Sequence, residues 1–144
     1  MALFAVNSSD KNLFADELGD VHPHKVLLVE DSIDDQKLAT MVLEDSKHVT
    51  QVKVISQASE LFSTLKQMID DTPLVILLDL RLPGVDGFEV LKQLKRNEVY
   101  SNIPVIVLSD IQMPGQVSEA LQLGARAYMS KPLQIEILER ALQS

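Results

Sequence analysis

The chain has 144 residues, 46% of them apolar and 24% charged, with no cysteine and a formal net charge of −8. One domain with a proper core fits this length, while the missing thiols exclude a disulfide framework or a thiolate metal site. The acidic balance argues against a direct nucleic-acid surface, and no apolar run is long enough to span a bilayer, so a cytoplasmic protein without a membrane partner is expected.

Residues 1–24 differ in character from the rest of the chain and read as an N-terminal extension, expected to be a flexible tail. "NSSDKN" is polar and turn-forming, and "LFADELGD" has room for one short amphipathic turn before Gly19. His22-Pro23-His24 then reads as an extended connector, because proline disfavours helix in the residue before it.

From Lys25 the chain alternates between two patterns. "KVLLVE" (25–30) is an apolar run ending in an acid, followed by helical spacing over 34–45 that turns Leu38, Met41 and Val42 inward. "VKVIS" (52–56) precedes a helix over 59–70, marked by Leu61, Phe62, Leu65, Met68 and Ile69. "PLVILLD" (73–79) leads to a helix ending near Arg96, with Phe88, Val90, Leu91 and Leu94 on one face. "IPVIVLS" (103–109) is followed by a helix over 116–123, for which Gly124 is a natural stop. "ARAYMS" (125–130) and a last helix over 134–143 complete five β-α units. The runs at 26–29, 74–78 and 105–108 do not alternate, as expected of parallel strands covered on both faces. This is the pattern of a doubly wound α/β sandwich, residues 25–144 forming one domain.

In such a sheet the functional crevice lies beyond the carboxyl ends of the strands. There the sequence presents Glu30-Asp31, Asp79, Ser109 and Ser130-Lys131. Like charges gathered in one crevice repel unless a cation is present. Oxygen-only ligands suit a hard cation such as Mg²⁺, which keeps several waters beside one or two carboxylates. A metal ion and the Lys131 ammonium flanking a carboxylate, with the Ser109 hydroxyl nearby, make a place for a phosphoryl group. Asp79, ending the central strand, is the best nucleophile.

These features, in this order, resemble the receiver domain of two-component response regulators of the chemotaxis-regulator type. Glu30-Asp31 follows "VLLV", Asp79 lies in "LLDLRLPGVDG", Ser109 ends "PVIVLS", and Lys131 lies in "GARAYMSKP". The resemblance implies a flavodoxin-like fold, a five-stranded parallel sheet of order 2-1-3-4-5 wound with five helices. It implies that Asp79 accepts a phosphoryl group from a histidine kinase or a histidine phosphotransfer protein. It assigns Mg²⁺ to Glu30, Asp31, Asp79 and the backbone carbonyl of Arg81. Ser109 then follows the phosphoryl group, Lys131 pairs with it, Tyr128 turns inward with the switch, and the bond before Pro132 is cis. A downstream target or output domain would read the face built from residues 115–143, which is also a candidate homodimer face.

Several positions depart from the common pattern. Asp110 stands where a small residue usually follows the hydroxyl, Pro114 precedes the fourth helix, and Leu133 replaces a frequent phenylalanine. A haloacid-dehalogenase-type phosphatase needs a second acid two residues after its nucleophile, where this chain has Arg81. No phosphate-binding glycine loop of the P-loop type occurs. The remaining alternative is a receiver-like interaction module that works without phosphorylation, or the input part of a longer regulator.

Overall fold

The computed structural model describes residues 4–6, 23–110 and 113–143. Its strands are β1 (Phe4–Val6), β2 (His24–Val29), β3 (Val49–Ile55), β4 (Leu74–Asp79), β5 (Arg81–Leu82), β6 (Val85–Asp86), β7 (Val105–Ser109) and β8 (Ala127–Ser130). The helices are α1 (Ile33–Glu44), α2 (Leu61–Met68, entered through a 3-10 turn at Ala58–Glu60), α3 (Gly87–Arg96), α4 (Pro114–Gln122) and α5 (Ile135–Gln143).

Five parallel strands form the centre in the order β3-β2-β4-β7-β8. In chain order these are second, first, third, fourth and fifth, as the resemblance implies. The strands read as solid Val, Ile and Leu because each of their two faces meets a different apolar layer. Leu27, Val29, Ile76, Leu78 and Val107 pack with α2 and α3 on one side. Val26, Leu28, Val75, Leu77 and Ile106 pack with α1 and α5 on the other. Each fully buried side chain of this kind contributes about 1.5–3 kcal/mol, and together they hold the strand ends in fixed register.

Local chemistry sets the helix ends. Ser32 caps α1 by accepting from the Asp35 N–H at 3.3 Å, and Asp86 caps α3 by accepting from the Phe88 N–H at 2.9 Å. Gly124, at φ +106°, ends the α4 turn in a conformation that side chains avoid. Between β5 and β6, Pro83-Gly84 makes a tight turn with Gly84 at φ +70°, so the chain after Asp79 folds back as a two-residue hairpin before α3.

Three expectations need correction. In α1 Ala39 and Leu43 face the sheet and Val42 packs partly against the same layer, as expected of it, whereas Leu38 and Met41 are 54% and 69% exposed. The helix carries apolar residues on both sides, and the small Ala39 is what allows it to lie close to the strands. Pro114 does not precede the fourth helix but occupies its first turn, where its missing N–H has no partner to lose. Phe4–Val6, in a stretch read without a strand, pairs antiparallel with β8 and makes the sheet six-stranded. The turn expected before Gly19 and His22 lie outside the described residues, while His24 is buried at the start of β2.

Gly87 is the tightest point between the helices and the strand ends. A Cβ there would lie 2.5 Å from the Leu80 Cα and carbonyl oxygen, both backbone atoms that cannot swing away. Gly87→Ala is therefore expected to destabilise the fold by about 1–3 kcal/mol in urea unfolding, despite the better helix propensity of alanine. An unchanged midpoint would mean that the loop after Asp79 yields freely.

Candidate functional site

The parallel register brings the strand ends to one edge. Asp79 is the last residue of β4 and Ser109 the last of β7, where it stands opposite Ser130 of β8. The Lys131 N–H donates to the Ser109 carbonyl at 2.8 Å, extending the ladder by one bond and fixing where the lysine leaves the sheet. On the other side, the Glu30 N–H donates to the Ile55 carbonyl at 3.0 Å, which holds Glu30 at the end of β2. The Lys131–Pro132 peptide bond is cis.

From there the Lys131 ammonium reaches three carboxylates: Glu30 at 2.5 Å, Asp35 at 2.8 Å and Asp79 at 3.1 Å. Asp79 and Glu30 are buried, and each also accepts a backbone N–H, from Arg81 at 2.9 Å and from Ser32 at 3.2 Å. Asp31 is exposed at the rim, and its carboxylate lies within reach of a shared centre. Oxygen atoms of Glu30, Asp31 and Asp79 all fall within 4.8 Å of one another. Four carboxylates thus face one ammonium, leaving three negative charges uncompensated when all are ionised.

That imbalance shows in the titration of the cluster. Burial pushes the Glu30 carboxyl up to about 7; Lys131 opposes the rise and Asp79 adds to it. Burial pulls Lys131 down, but Asp35, Glu30 and Asp79 together outweigh it and hold the ammonium well above its ordinary range. A short ion pair in which both partners rise looks contradictory. The reason is that the two have different dominant causes: burial outweighs the Lys131 contact at Glu30, whereas three carboxylates outweigh burial at Lys131.

Of the remaining predicted positions, some border this cluster and one does not. Ser109 is buried beneath it, and the Arg81 side chain is exposed on the β5 strand, 4.0 Å from Asp110 across the mouth. Tyr128 is fully buried among the residues packed under α2, α3 and α4, away from the acids. Leu133 is buried and helps line a cavity of about 290 Å³ beside Lys131, together with Glu30, Asp35, Leu38 and Asp110. Sequence reasoning missed Asp35. Its signal was slight: a first-turn carboxylate four residues after Asp31, on the end of α1 that points at the strand ends.

A sheet of this order, with acids and a lysine gathered at its carboxyl edge, defines a receiver-type α/β protein. The response regulator receiver domain model matches residues 26–143, and the chain belongs to that family. It is 30% identical over 121 residues to a protein-glutamate methylesterase/protein-glutamine glutaminase of Trichodesmium erythraeum (strain IMS101), covering 83% of this chain and 33% of that protein. It is 31% identical to the two-component response regulator ARR9 of Arabidopsis thaliana, covering 80% of this chain and 56% of that one. Among solved structures, the Mn²⁺-bound response regulator Rcp1 superposes with a TM-score of 0.65 at 32% identity, over 84% of this chain and 90% of its own. The chain thus spans from a third to about six-tenths of the length of the first curated relatives it matches. No helix among the described residues is long and apolar enough to cross a membrane.

The raised Glu30 carboxyl has a stability consequence of definite sign. Between its ordinary value of 4.5 and about 7 the folded state binds more protons than the unfolded state. The contribution is therefore present below pH 4.5 and is lost as pH rises through 7. In chelator, wild type is expected to lose about 2 kcal/mol relative to Glu30→Gln between pH 5 and pH 7.5, screening allowed for. Urea unfolding of both proteins across that range reads it, and parallel pH profiles would refute it.

Proposed function

We propose that the chain is a phosphorylation-operated receiver whose acceptor is Asp79, supplied by a histidine kinase or a histidine phosphotransfer protein. The observation that carries this reading is the contact between Lys131 and Asp79, bridged from positions 52 residues apart, beside the three acidic oxygens that share one centre. An acid so placed is dry, oriented by the Arg81 N–H and held next to a fixed cation, which is what a nucleophile for phosphoryl transfer requires.

Glu30, Asp31 and Asp79 have the donor set for a hard divalent cation, and the excess of carboxylates over Lys131 supplies the charge to hold one. Mg²⁺ is the natural choice, with the Arg81 carbonyl as a further protein ligand. When bound, it neutralises charge on the phosphoryl oxygens. The chain's own groups do the rest. An Asp79 carboxylate oxygen attacks phosphorus as the bond to the donor imidazole nitrogen breaks, and the imidazole keeps the electron pair and takes a proton. Lys131 moves from carboxylate to phosphoryl oxygen without changing its position in the fold. The Ser109 hydroxyl donates to a second oxygen from the end of the neighbouring strand.

The phosphorylated state is then read on the face formed by α4, β8 and α5, to which Tyr128 belongs. That face serves a downstream target or output domain, and a homodimer through residues 115–143 is the second use it suits. The protein would be a cytoplasmic signalling domain that catalyses only its own phosphorylation and dephosphorylation.

Incubation with Mg²⁺ and acetyl phosphate, or with a cognate kinase, should add one phosphoryl group, about 80 Da, by intact mass. Asp79→Asn should abolish the gain, and Lys131→Ala should slow it by about tenfold or more. No gain with either donor would favour a module that works without phosphorylation. Asp110 adds a negative charge at the mouth, so Asp110→Ala should speed reaction with acetyl phosphate by about threefold, with a smaller effect at high salt. A slower reaction would instead make Asp110 a contributor to donor binding.

A further inference from the structure

β8 is the last parallel strand of the sheet, and its outer edge would present unpaired backbone groups along the middle of the α4–β8–α5 face. β1 closes it. Its register pairs Phe4 with Met129, Ala5 with Tyr128 and Val6 with Ala127, so the smallest residue of the three lies opposite the buried tyrosine. The pairing is only three residues long, against five or six for the ladders within the parallel sheet that join β2 to its neighbours.

The connection to β2 is long in sequence. Because β1 runs antiparallel to β8, Val6 leaves the sheet at the edge where β2 begins. Four strand spacings separate β1 from β2 in the sheet order, about 19 Å. Seventeen peptide links from Val6 to Pro23 reach at most about 60 Å. The link therefore neither forces β1 onto the edge nor stops it from leaving. A three-residue strand joined through seventeen links is held by a high local concentration and a few backbone bonds, which makes it displaceable.

We infer that residues 4–6 are a tethered strap that closes the β8 edge and keeps Tyr128 covered, so that a partner strand approaching this edge must first displace it. The occupant in the resting chain is the chain's own N-terminal segment. The inference rests on the proposed function only in taking the α4–β8–α5 face as the one that partners meet. The strap itself operates without phosphate or metal, so its test is independent of phosphorylation.

The chain has two tyrosines and no tryptophan, so Tyr100→Phe leaves Tyr128 as the sole emitter. In that background two variants release the strap. Ala5→Pro with Val6→Pro removes at least one ladder donor, because adjacent residues of a strand direct their N–H groups to opposite sides. Deletion of residues 2–8 removes the strap outright. In both, without Mg²⁺ or phosphodonor, hydrogen exchange at 127–129 should quicken by about tenfold or more while 74–79 stays protected. Acrylamide quenching of Tyr128 should rise by about twofold in the same samples. A synthetic peptide of residues 1–8 should restore both in the deletion variant only at millimolar concentration, about the range that a tether supplies. Unchanged exchange at 127–129 would overturn the strap. So would loss of protection at 74–79 in both variants, since the strand would then be an integral part of the fold. Protection of wild type that disappears on dilution would also overturn it, by showing that the covering strand comes from a second copy.

Discussion

The crowding of three carboxylates around one ammonium, with a fourth at the rim, is the constraint on which the rest of this structure depends. Glu30 and Asp79 are buried acids, and burying an ionised carboxylate without full compensation is costly. The cluster persists because each acid is fixed by something other than the charge it lacks. Backbone N–H groups of Ser32 and Arg81 each donate to one carboxylate oxygen, and the strands beneath cannot shift without opening two apolar layers. The core pays for the site.

The same geometry couples the site to the far edge of the sheet. Lys131 follows β8 directly, and its backbone is tied to Ser109 of β7, so the ends of the two strands are joined at the site. Tyr128 lies on that strand, three residues before the lysine, with its side chain on the face opposite to those of Ala127 and Met129. Alternation along one short strand therefore sends the ammonium to the acids, the tyrosine into one layer and its neighbours into the other. A tilt of β8 cannot move one of these groups alone.

Most of this was legible because it depends on local pattern and on strand order. Three non-alternating runs of Val, Ile and Leu announce a covered parallel sheet, and a sheet of that type puts Glu30, Asp31, Asp79, Ser109 and Lys131 at one edge without any knowledge of side chains. What was not legible depends on contacts between distant segments. Asp35 meets Lys131 across 96 residues, and nothing in "SIDDQ" distinguishes it from an ordinary first-turn acid of a helix. The inward face of α1 was misread because Leu38 and Met41 outweigh Ala39 on any apolar scale, while packing against a sheet rewards the small residue. β1 escaped notice because three residues, Phe-Ala-Val, carry no usable periodicity; only the open edge of β8 makes them a strand.

The exposed Leu38 and Met41 then take on a different meaning from an error of periodicity. They stand on the outer side of the helix that delivers Asp35 to Lys131, and Leu38 lines the cavity beside that lysine. The helix carries apolar residues on two sides, with Ala39 and Leu43 buried in the core and Leu38 and Met41 exposed. On the proposed reading, a donor that rests on those side chains would bring its phosphoryl group to Asp79 past Asp110 and Arg81, whose opposite charges flank the entrance. Apolar contact would then supply the affinity, and the charges would govern only approach and orientation. On the same reading a small anion has access to the second effect alone, so the acidic residue at the mouth should weigh more heavily on acetyl phosphate than on a protein donor.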